Sequence, residues 1–412
     1  MHVSMIEWLR CPFCGTHVTL VDASPTVRDG DELVSGVLGC ECCAFPVVAG
    51  IPVLIADDTT RLAMHQLEAG QGAAALLTLL GLEGDRATAF SALLASPAAT
   101  YRSALEVLSP DPEGTYFLYR FSDPTYVMAQ SVLQVIGQNP AFLGGRAIDL
   151  CGGSGHLTRV LVDQGRAGEV VLADVFFWKL WLARTFTAPQ CQPVCCDANH
   201  PLPFARETFQ LVVLSDAFPY IWHKRLLADE MVRLATPTGA IVMPHLHSSL
   251  GENFSAGMTL TPASYRDLFE VMEPRLYRDA TLLDGILGHA TVDLGASVSA
   301  EALGTTPSLT LVASRQAALF KRYALPPFDV VRGELRVNPL FRVEHADGQS
   351  RLTLDFPNAD YEEEFGECRR YLPDSMMLEG DARRSLDVQA LGDQAERLRR
   401  MRVLIDAPVR YF

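Results

Sequence analysis

The chain contains 412 residues, carries a formal net charge of −15 and is 49% hydrophobic. This length allows two or three domains with a substantial hydrophobic core. Lysine occurs only at Lys179, Lys224 and Lys321. An acidic, lysine-poor chain argues against a nucleic-acid partner, because tight non-specific binding to nucleic acid needs a basic surface.

The N-terminal sequence and the cysteine content indicate in which cellular compartment the protein is expected. The first ten residues contain no basic segment followed by an apolar one, so we expect no signal peptide. The longest apolar runs, such as 73–80, are too short to span a bilayer, and we expect no membrane partner. Without an export signal, ten cysteines favour metal ligands or free thiols over disulfides. We therefore expect a cytoplasmic protein, and a homo-oligomer is compatible with the sequence.

Two cysteine pairs near the N-terminus have the spacing of a zinc ribbon. Cys11-Pro-Phe-Cys14 and Cys40-Glu-Cys-Cys43 each separate two thiols by two residues. Four such thiolates suit tetrahedral Zn(II), so the spacing predicts a structural zinc bound by Cys11, Cys14, Cys40 and Cys43. Cys42 could replace Cys40 or Cys43, although the two-residue spacing favours the first set. Four thiolates leave no open position for catalysis, and in so short a segment the metal would contribute most of the folding free energy.

A longer pattern surrounds the second pair: Leu38-Gly-Cys-Glu-Cys-Cys-Ala-Phe-Pro-Val-Val-Ala-Gly-Ile-Pro-Val-Leu-Ile55. It resembles the small zinc-ribbon activator proteins of tRNA and rRNA methyltransferases. In that family a CPxC knuckle and a later CxxC precede an aromatic-Pro-Val segment and Gly-Ile-Pro-Val-Leu. The resemblance implies a zinc ribbon over residues 1–58. Residues 59–140 then show apolar positions at helical spacing, which predicts a helical connector.

A glycine-rich loop follows the connector, in Ala147-Ile-Asp-Leu-Cys-Gly-Gly-Ser-Gly155. Apolar residues lead into Asp149 and a helical pattern follows, which predicts a strand, a tight turn and a helix N-terminus. Gly153 and Gly155 let the backbone approach a ligand, and the helix start offers free N–H groups to it. The next predicted strand ends in Asp174. This acid follows Gly155 by nineteen residues, close to the roughly 20-residue offset at which an acid meets a ribose hydroxyl.

The loop differs from a dinucleotide fingerprint, because Thr158 stands where the third glycine is needed. An acid four residues before Gly153 instead resembles motif I of class I S-adenosylmethionine (SAM) methyltransferases. The resemblance implies that Asp149 faces the methionine amino group and that Asp197 lies at the adenine edge. The implied SAM-binding residues are Asp149, Cys151, Gly153, Gly155, Asp174, Val175, Asp197, Ala198 and Ser215.

The predicted fold class is α/β. Strand and helix patterns alternate over residues 141–315, which predicts a mostly parallel sheet covered by helices. The passages Pro201-Leu-Pro-Phe204 and Thr208–Asp216 match the family's "LPF … FDLVV", with Gln210 in place of the common Asp. The resemblance therefore implies a Rossmann-like class I methyltransferase domain with seven strands. In this family the segment before motif I often covers the substrate pocket. Four connector residues are thus candidates for substrate contact, and packing onto the domain is their alternative role: Tyr119, Arg120, Phe121 and Tyr126.

Candidate catalytic residues follow the predicted fourth and fifth strands. Asp216 and His223 follow the fourth strand, and His245 and His247 follow the fifth. Ligands bind at the carboxyl edge of such a sheet, and histidine titrates near neutral pH, so each histidine could accept a proton from the nucleophile. His245 is favoured because it directly follows its strand. His-x-His can also bind a metal, but the sequence shows no third ligand.

Residues 316–412 match no known motif. Strand patterns at 335–345 and 351–356, on both sides of Ala346-Asp-Gly-Gln349, predict a hairpin, and helices are predicted at 361–371 and 390–401. The region is therefore interpreted as an α+β extension without an assigned function. For the whole chain we expect a SAM-dependent methyltransferase that acts on an oxygen or nitrogen atom of a small molecule. RNA or protein methylation, and SAM binding without methyl transfer, are the alternatives.

Overall fold

The computed structural model describes residues 1–22, 24–109, 112–166, 169–328 and 330–412. The N-terminal segment forms a small antiparallel sheet of order β1-β3-β4-β5, in which β2 also pairs with β3. Its strands are β1 (Thr19–Leu20), β2 (Val27–Asp29), β3 (Glu32–Gly39), β4 (Ala44–Val48) and β5 (Ile51–Pro52). The cysteine pairs lie in the turns at one end of this sheet.

The connector is helical, as its apolar spacing predicts. Its described helices are α1 (Asp58–Glu68), α2 (Gly72–Leu80), α3 (Gly84–Ala95), α4 (Tyr101–Leu108), α5 (Pro112–Tyr119) and α6 (Pro124–Gly137). The local sequence explains where α6 begins. The side chain of Asp123 accepts a hydrogen bond from the backbone N–H of Tyr126 at the start of α6, and Pro124 occupies the first turn, where its missing N–H is tolerated.

The central sheet has the strand order β11-β13-β10-β9-β6-β7-β8. The strands of this region are β6 (Ala147–Leu150), β7 (Val170–Asp174), β8 (Gln192–Cys195), β9 (Phe209–Leu214), β10 (Ala235–His247), β11 (Pro274–Arg278), β12 (Thr291–Asp293) and β13 (Ser308–Ala313). The helices are α7 (His156–Asp163), α8 (Phe177–Leu182), α9 (Lys224–Leu234), α10 (Pro262–Leu268), α11 (Asp279–His289) and α12 (Ala300–Leu303). Pairing is parallel from β10 through β8 and antiparallel at β13 and β11. The predicted mostly parallel, seven-stranded sheet is confirmed.

The two faces of this sheet bury different parts of the chain. Alternate strand residues such as Ala147 and Leu172 pack with the connector helices and the C-terminal region. Their neighbours, such as Ile148 and Val171, pack with the N-terminal segment and α9. This division follows from the two-residue period of a strand. The N-terminal segment therefore shares its hydrophobic core with the central sheet rather than folding around a core of its own.

The C-terminal region contains β14 (Arg322–Ala324), β15 (Glu334–Val337), β16 (Phe341–Ala346), β17 (Gln349–Leu354), α13 (Ala359–Phe365), β18 (Ser375–Glu379), α14 (Val388–Leu391), α15 (Asp393–Arg400) and β19 (Leu404–Ala407). The predicted hairpin is present as β16 and β17, with both Asp347 and Gly348 at positive φ, as a two-residue turn requires. β15 does not belong to it: this strand pairs with β19. Among the described residues, no helix is long and apolar enough to cross a membrane.

Candidate functional site

A cavity of about 780 Å³ opens at the carboxyl edge of the parallel strands. It lies beside β6 and β9, where the strand order reverses direction, and open α/β sheets bind ligands at this point. The loops after β6, β7, β8 and β9 form one side of the cavity. Residues of α5 and α13 form the opposite side.

Asp149 is the most deeply buried acid of this cavity, with 1% of its surface exposed. One carboxylate oxygen accepts a 2.7 Å hydrogen bond from the hydroxyl of Thr158. The other oxygen, Oδ1, has no hydrogen-bond partner among the residues that the structure describes. Burial raises the pKa of Asp149 to about 7. An unpaired buried oxygen is costly, and an N–H donor or a cation from a ligand would satisfy it. Thr158, the departure from the dinucleotide pattern, thus orients this carboxylate.

The glycine-rich loop and Asp174 are joined by a hydrogen bond. The backbone N–H of Gly153, a residue with φ of 57°, donates to Asp174 Oδ2 at 3.0 Å. The N–H of Phe176 donates to Asp174 Oδ1 at 2.9 Å. Burial raises the pKa of Asp174, which lines the cavity. Gly155 does not line the cavity. Its φ is 83°, and a Cβ there would lie 2.8 Å from the Cβ of Ala183, so this glycine permits close packing of α7.

The other predicted SAM-binding residues also lie at this edge of the sheet. Asp197 follows β8 and accepts hydrogen bonds from the backbone and side chain of Asn199, at 2.8 and 3.0 Å. The cavity lining includes Cys151, Val175, Asp197, Ala198 and Ser215. These residues fit SAM: Asp149, which has one carboxylate oxygen without a partner, stands where the methionine amino group is expected, and a second acid follows β7. The structure therefore brings together eight of the nine predicted residues, without Gly155.

A cluster of one acid and two histidines adjoins the cavity at the ends of β9 and β10. Asp216 lines the cavity, and its Oδ1 lies 3.0 Å from Nε2 of His247. The rings of His245 and His247 lie 4.7 Å apart. The pairing of β10 with β13 shifts register between Met243 and Leu246. Such a bulge redirects side chains, which explains how both histidines reach one cluster.

Acidic partners set the charge of this cluster. His245 Nδ1 lies 3.0 Å from Asp279 Oδ2, and the hydroxyl of Thr310 donates to the other oxygen of Asp279 at 2.7 Å. Burial lowers the pKa of His245, but the hydrogen bond to Asp279 and the charge of Asp216 outweigh burial, so that the pKa is raised. Burial likewise raises the pKa of Asp216, but His247 and His245 outweigh burial and lower it.

His223 is separate from this cluster, which corrects its inclusion among the candidate catalytic residues. It is exposed before α9, and its Nδ1 lies 2.9 Å from the backbone oxygen of Asn199. It does not belong to the cavity lining among the described residues. The chain turns through Phe218–Tyr220 after β9, so position after a strand does not by itself bring a side chain to the cavity.

The predicted substrate contacts of the connector divide into two groups. Arg120 lines the cavity, and its Nη1 donates to both oxygens of Asp123, each at 2.7 Å. Phe121 and Tyr126 pack against each other with ring centres 5.2 Å apart, and Tyr119 packs against Tyr361. For these three residues the packing alternative agrees with the structure. Cavity residues that the sequence did not indicate come from α13: Asp360, Tyr361, Glu364 and Phe365.

The N-terminal thiols form a group of four, but its members differ from the expected set. The sulfur atoms of four cysteines all lie within 4.8 Å of one another: Cys11, Cys14, Cys40 and Cys42. The sulfur of Cys42 is 3.7 Å from that of Cys11 and 3.6 Å from that of Cys40. A tetrahedral ion with Zn–S bonds of about 2.3 Å places its sulfurs about 3.8 Å apart. Cys42 thus stands in this group where the spacing predicts Cys43. The Cys43 backbone pairs with Cys40 across the turn before β4, and the Cys43 sulfur lies 3.4 Å from that of Cys42.

Comparison with known proteins agrees with the fold. Residues 147–239 match a family model described as a methyltransferase domain. The chain is similar to the ubiquinone/menaquinone biosynthesis C-methyltransferase UbiE of Ectopseudomonas mendocina (strain ymp), with 33% identity over 106 residues, 24% of this chain and 41% of that protein. It is also similar to UbiE of Stutzerimonas stutzeri (strain A1501), with 28% identity over 168 residues, 36% of this chain and 64% of that protein. The chain thus spans less than two thirds of the length of either relative.

A solved structure was also found: the complex between the Haloferax volcanii Trm112 methyltransferase activator and a methyltransferase. Its similarity to this chain has a TM-score of 0.35 and 16% identity, covering 52% of this chain and 96% of that chain. The methyltransferase model and the sheet order together confirm the predicted Rossmann-like methyltransferase fold for the central region.

Proposed function

We propose that the chain is a SAM-dependent methyltransferase that methylates an oxygen or nitrogen atom of a small molecule. The observation that carries the proposal is the unpaired, buried Oδ1 of Asp149, beside the glycine-rich loop of a cavity at the strand-order reversal. SAM, when bound, supplies a methyl group on a positively charged sulfur. Asp149 would accept a hydrogen bond from the methionine amino group, Asp174 from the ribose hydroxyls, and Asp197 would adjoin the adenine edge.

The acceptor is assigned to the end of the cavity near Asp216. Tyr116 and Arg120 lie there on the connector side, and α13 contributes Tyr361 and Glu364. Alignment of the nucleophile with the methyl group supplies most of the rate enhancement in such a transfer. The cluster of Asp216, His247 and His245 would bind a polar acceptor and promote loss of its proton, which is needed only if the nucleophile arrives protonated.

The size of the cavity supports a small acceptor. Its volume of about 780 Å³ must hold both SAM and the acceptor, and small-molecule sites occupy about 300–1,000 Å³. RNA or protein is the second candidate, supported by the resemblance of residues 9–55 to activators of tRNA and rRNA methyltransferases. The named relatives are C-methyltransferases, so carbon acceptors belong in any substrate screen.

We also propose a structural zinc in the N-terminal ribbon. Its ligands would be Cys11, Cys14, Cys40 and Cys42, because their sulfur atoms have the mutual distances of a tetrathiolate site. The ion would hold together a turn region whose apolar neighbours pack on the central sheet. It would leave no open coordination position, so no catalytic role is assigned to it.

The test is a transfer assay with SAM labelled in its methyl group. Separate reactions would contain a small-molecule extract, tRNA, rRNA and a protein extract, each with wild-type protein and with Asp149→Ala. We expect label in small molecules with the wild type alone, and mass spectrometry of the product identifies the methylated atom. Label in RNA or protein instead would support methylation of a macromolecule. SAM binding without label in any reaction would identify a SAM-binding protein that does not transfer methyl.

A further inference from the structure

The cluster at the acceptor end of the cavity has the composition of a metal site. We propose that Asp216, His245 and His247 bind a divalent first-row transition-metal ion. The existence of the site follows from the geometry of these residues, whereas the role of the ion rests on the proposed methyl transfer.

The distances within the cluster suit coordination of one ion. One ligand atom from each of the three residues lies within 4.8 Å of the other two, and Asp216 Oδ1 and His247 Nε2 are 3.0 Å apart. Two ligands at right angles, each about 2.1 Å from an ion, are separated by about 3.0 Å. The sequence shows His-x-His without a third metal ligand. In the structure this third ligand is Asp216, which follows the neighbouring strand β9.

Asp279 and Thr310 orient the ring of His245. Metal-bound histidines usually donate their other ring N–H to a carboxylate, which fixes the ring and the tautomer. Here His245 Nδ1 faces Asp279 at 3.0 Å, so that Nε2 is left for the metal. Asp279 is itself held by the hydroxyl of Thr310 at 2.7 Å. Thr310 and Asp279 are buried and the side chain of His245 is 16% exposed, and nothing in the proposed SAM contacts accounts for this chain of hydrogen bonds.

The burial and the backbone of these residues also indicate a functional site. His247, which offers Nε2 to the ion, is only 8% exposed. Asp216 and His245 both have φ of 57°, a conformation that L-residues rarely adopt and that concentrates at functional sites. A purely structural salt bridge between Asp216 and His247 would explain neither the adjacent second imidazole nor the strained backbone at both strand ends.

The surrounding charge also favours a cation. Glu364 and Asp360 line the same cavity, and Asp279 lies behind His245. The nearby Arg120 is neutralised by its two hydrogen bonds to Asp123. A divalent ion in such a setting compensates carboxylates that would otherwise repel one another.

The ligand set indicates the metal and the acceptor. Two imidazoles and one carboxylate suit Mn, Fe, Co, Ni or Zn as divalent ions and leave open positions. An acceptor hydroxyl could occupy one of these, and the ion would lower its pKa as a Lewis acid. The hydroxyl proton leaves to water; an oxygen electron pair then forms the new bond to the methyl carbon, while the C–S pair returns to sulfur. The acceptor class is therefore a hydroxyl compound that binds metals through oxygen.

The site can be tested by Mn(II) binding to the full chain, followed by electron paramagnetic resonance. The protein is first loaded with one equivalent of zinc, which the ribbon thiolates prefer. We expect one further Mn(II) equivalent to bind the wild type and the exposed-residue control His223→Ala. Binding should be lost in His247→Ala and in the near-isosteric Asp216→Asn, which keeps the side-chain shape if the alanine variant folds poorly. Asp279→Asn should weaken Mn(II) binding about 10–100-fold, the usual effect of removing the carboxylate that holds a metal-bound histidine.

Binding of Mn(II) that is unchanged in Asp216→Asn, or no binding to the wild type, would overturn the proposal. Neither result depends on SAM or on an acceptor, so failure of the metal site is distinguishable from failure of the methyltransferase assignment. If the site is real, adding Mn(II) should also raise methyl transfer to hydroxyl acceptors in the wild type and not in Asp216→Asn.

Discussion

Replacement of Asp149 by asparagine should make the SAM-free protein more stable at high pH. The folded-state pKa of this carboxyl is about 7, against an ordinary value of 3.8. A carboxyl with a raised pKa keeps its proton in the folded state at pH values where the unfolded chain has released it. Stability is therefore lost as pH rises from about 4 to about 7. The difference between the two pKa values corresponds to about 4 kcal/mol at pH 8.

Asparagine removes this charge but retains a cost of its own. Its amide can still accept the hydrogen bond from Thr158, but the second amide atom lacks a partner, which costs about 1–3 kcal/mol. We therefore expect a net gain of about 1–3 kcal/mol at pH 8, and a loss below about pH 3, where the wild-type carboxyl is protonated in both the folded and the unfolded state. Loss of the charged acceptor should also weaken SAM binding by about 1.5–3 kcal/mol.

The assay is thermal unfolding without SAM at pH 5, 6.5 and 8, for wild type, Asp149→Asn and a control, Asp229→Asn. Asp229 is a half-exposed acid of α9 paired with Arg225. The melting temperature of Asp149→Asn relative to wild type should rise with pH, and that of the control should stay flat. A difference that does not change with pH would refute the inference that a buried, unpaired carboxylate is held ready for a ligand.

Three further outcomes follow from the structure. Metal analysis of purified protein should find that Cys42→Ser has lost the ribbon zinc whereas Cys43→Ser retains it. The reverse result would show that Cys43, as predicted from spacing, is the fourth zinc ligand. His245→Gln should slow turnover about 10²–10⁴-fold with nearly unchanged SAM affinity, since promotion of proton loss contributes on that scale; a near-normal rate at neutral pH would leave alignment alone as the mechanism. Tyr361→Ala should raise the KM for the acceptor about tenfold, equivalent to about 1.4 kcal/mol, without changing SAM affinity; an unchanged KM would remove α13 from the acceptor site.

The SAM half of the site could be predicted because its determinants are local. Asp149, the glycine-rich loop and Asp174 follow strands whose apolar runs are visible in the sequence, and parallel strands bring their carboxyl ends to one edge. Gly155 shows the limit of such an argument, because a conformational requirement for glycine can arise from helix packing as well as from ligand contact.

The acceptor half depends on contacts that no local pattern carries. The β10 bulge, which brings His245 and His247 to Asp216, arises from pairing with β13, some sixty residues later in the chain. The wall formed by α13 belongs to a region without a motif, and its position is set by packing on the connector, for example of Tyr361 on Tyr119. Cys42 stands in the thiol group in place of Cys43 because the positions of the sulfur atoms depend on the turn before β4, which spacing alone does not reveal.

Calorimetry of SAM binding to the purified full chain tests the central claim most directly. The wild type should bind one SAM per chain and should ignore NADH. Asp174→Ala should weaken SAM binding by about 1.5–3 kcal/mol, because a charged acceptor of hydrogen bonds is lost, and an exposed control, His223→Ala, should bind SAM as the wild type does. Binding of NADH together with no heat from SAM would contradict the assignment of this cavity.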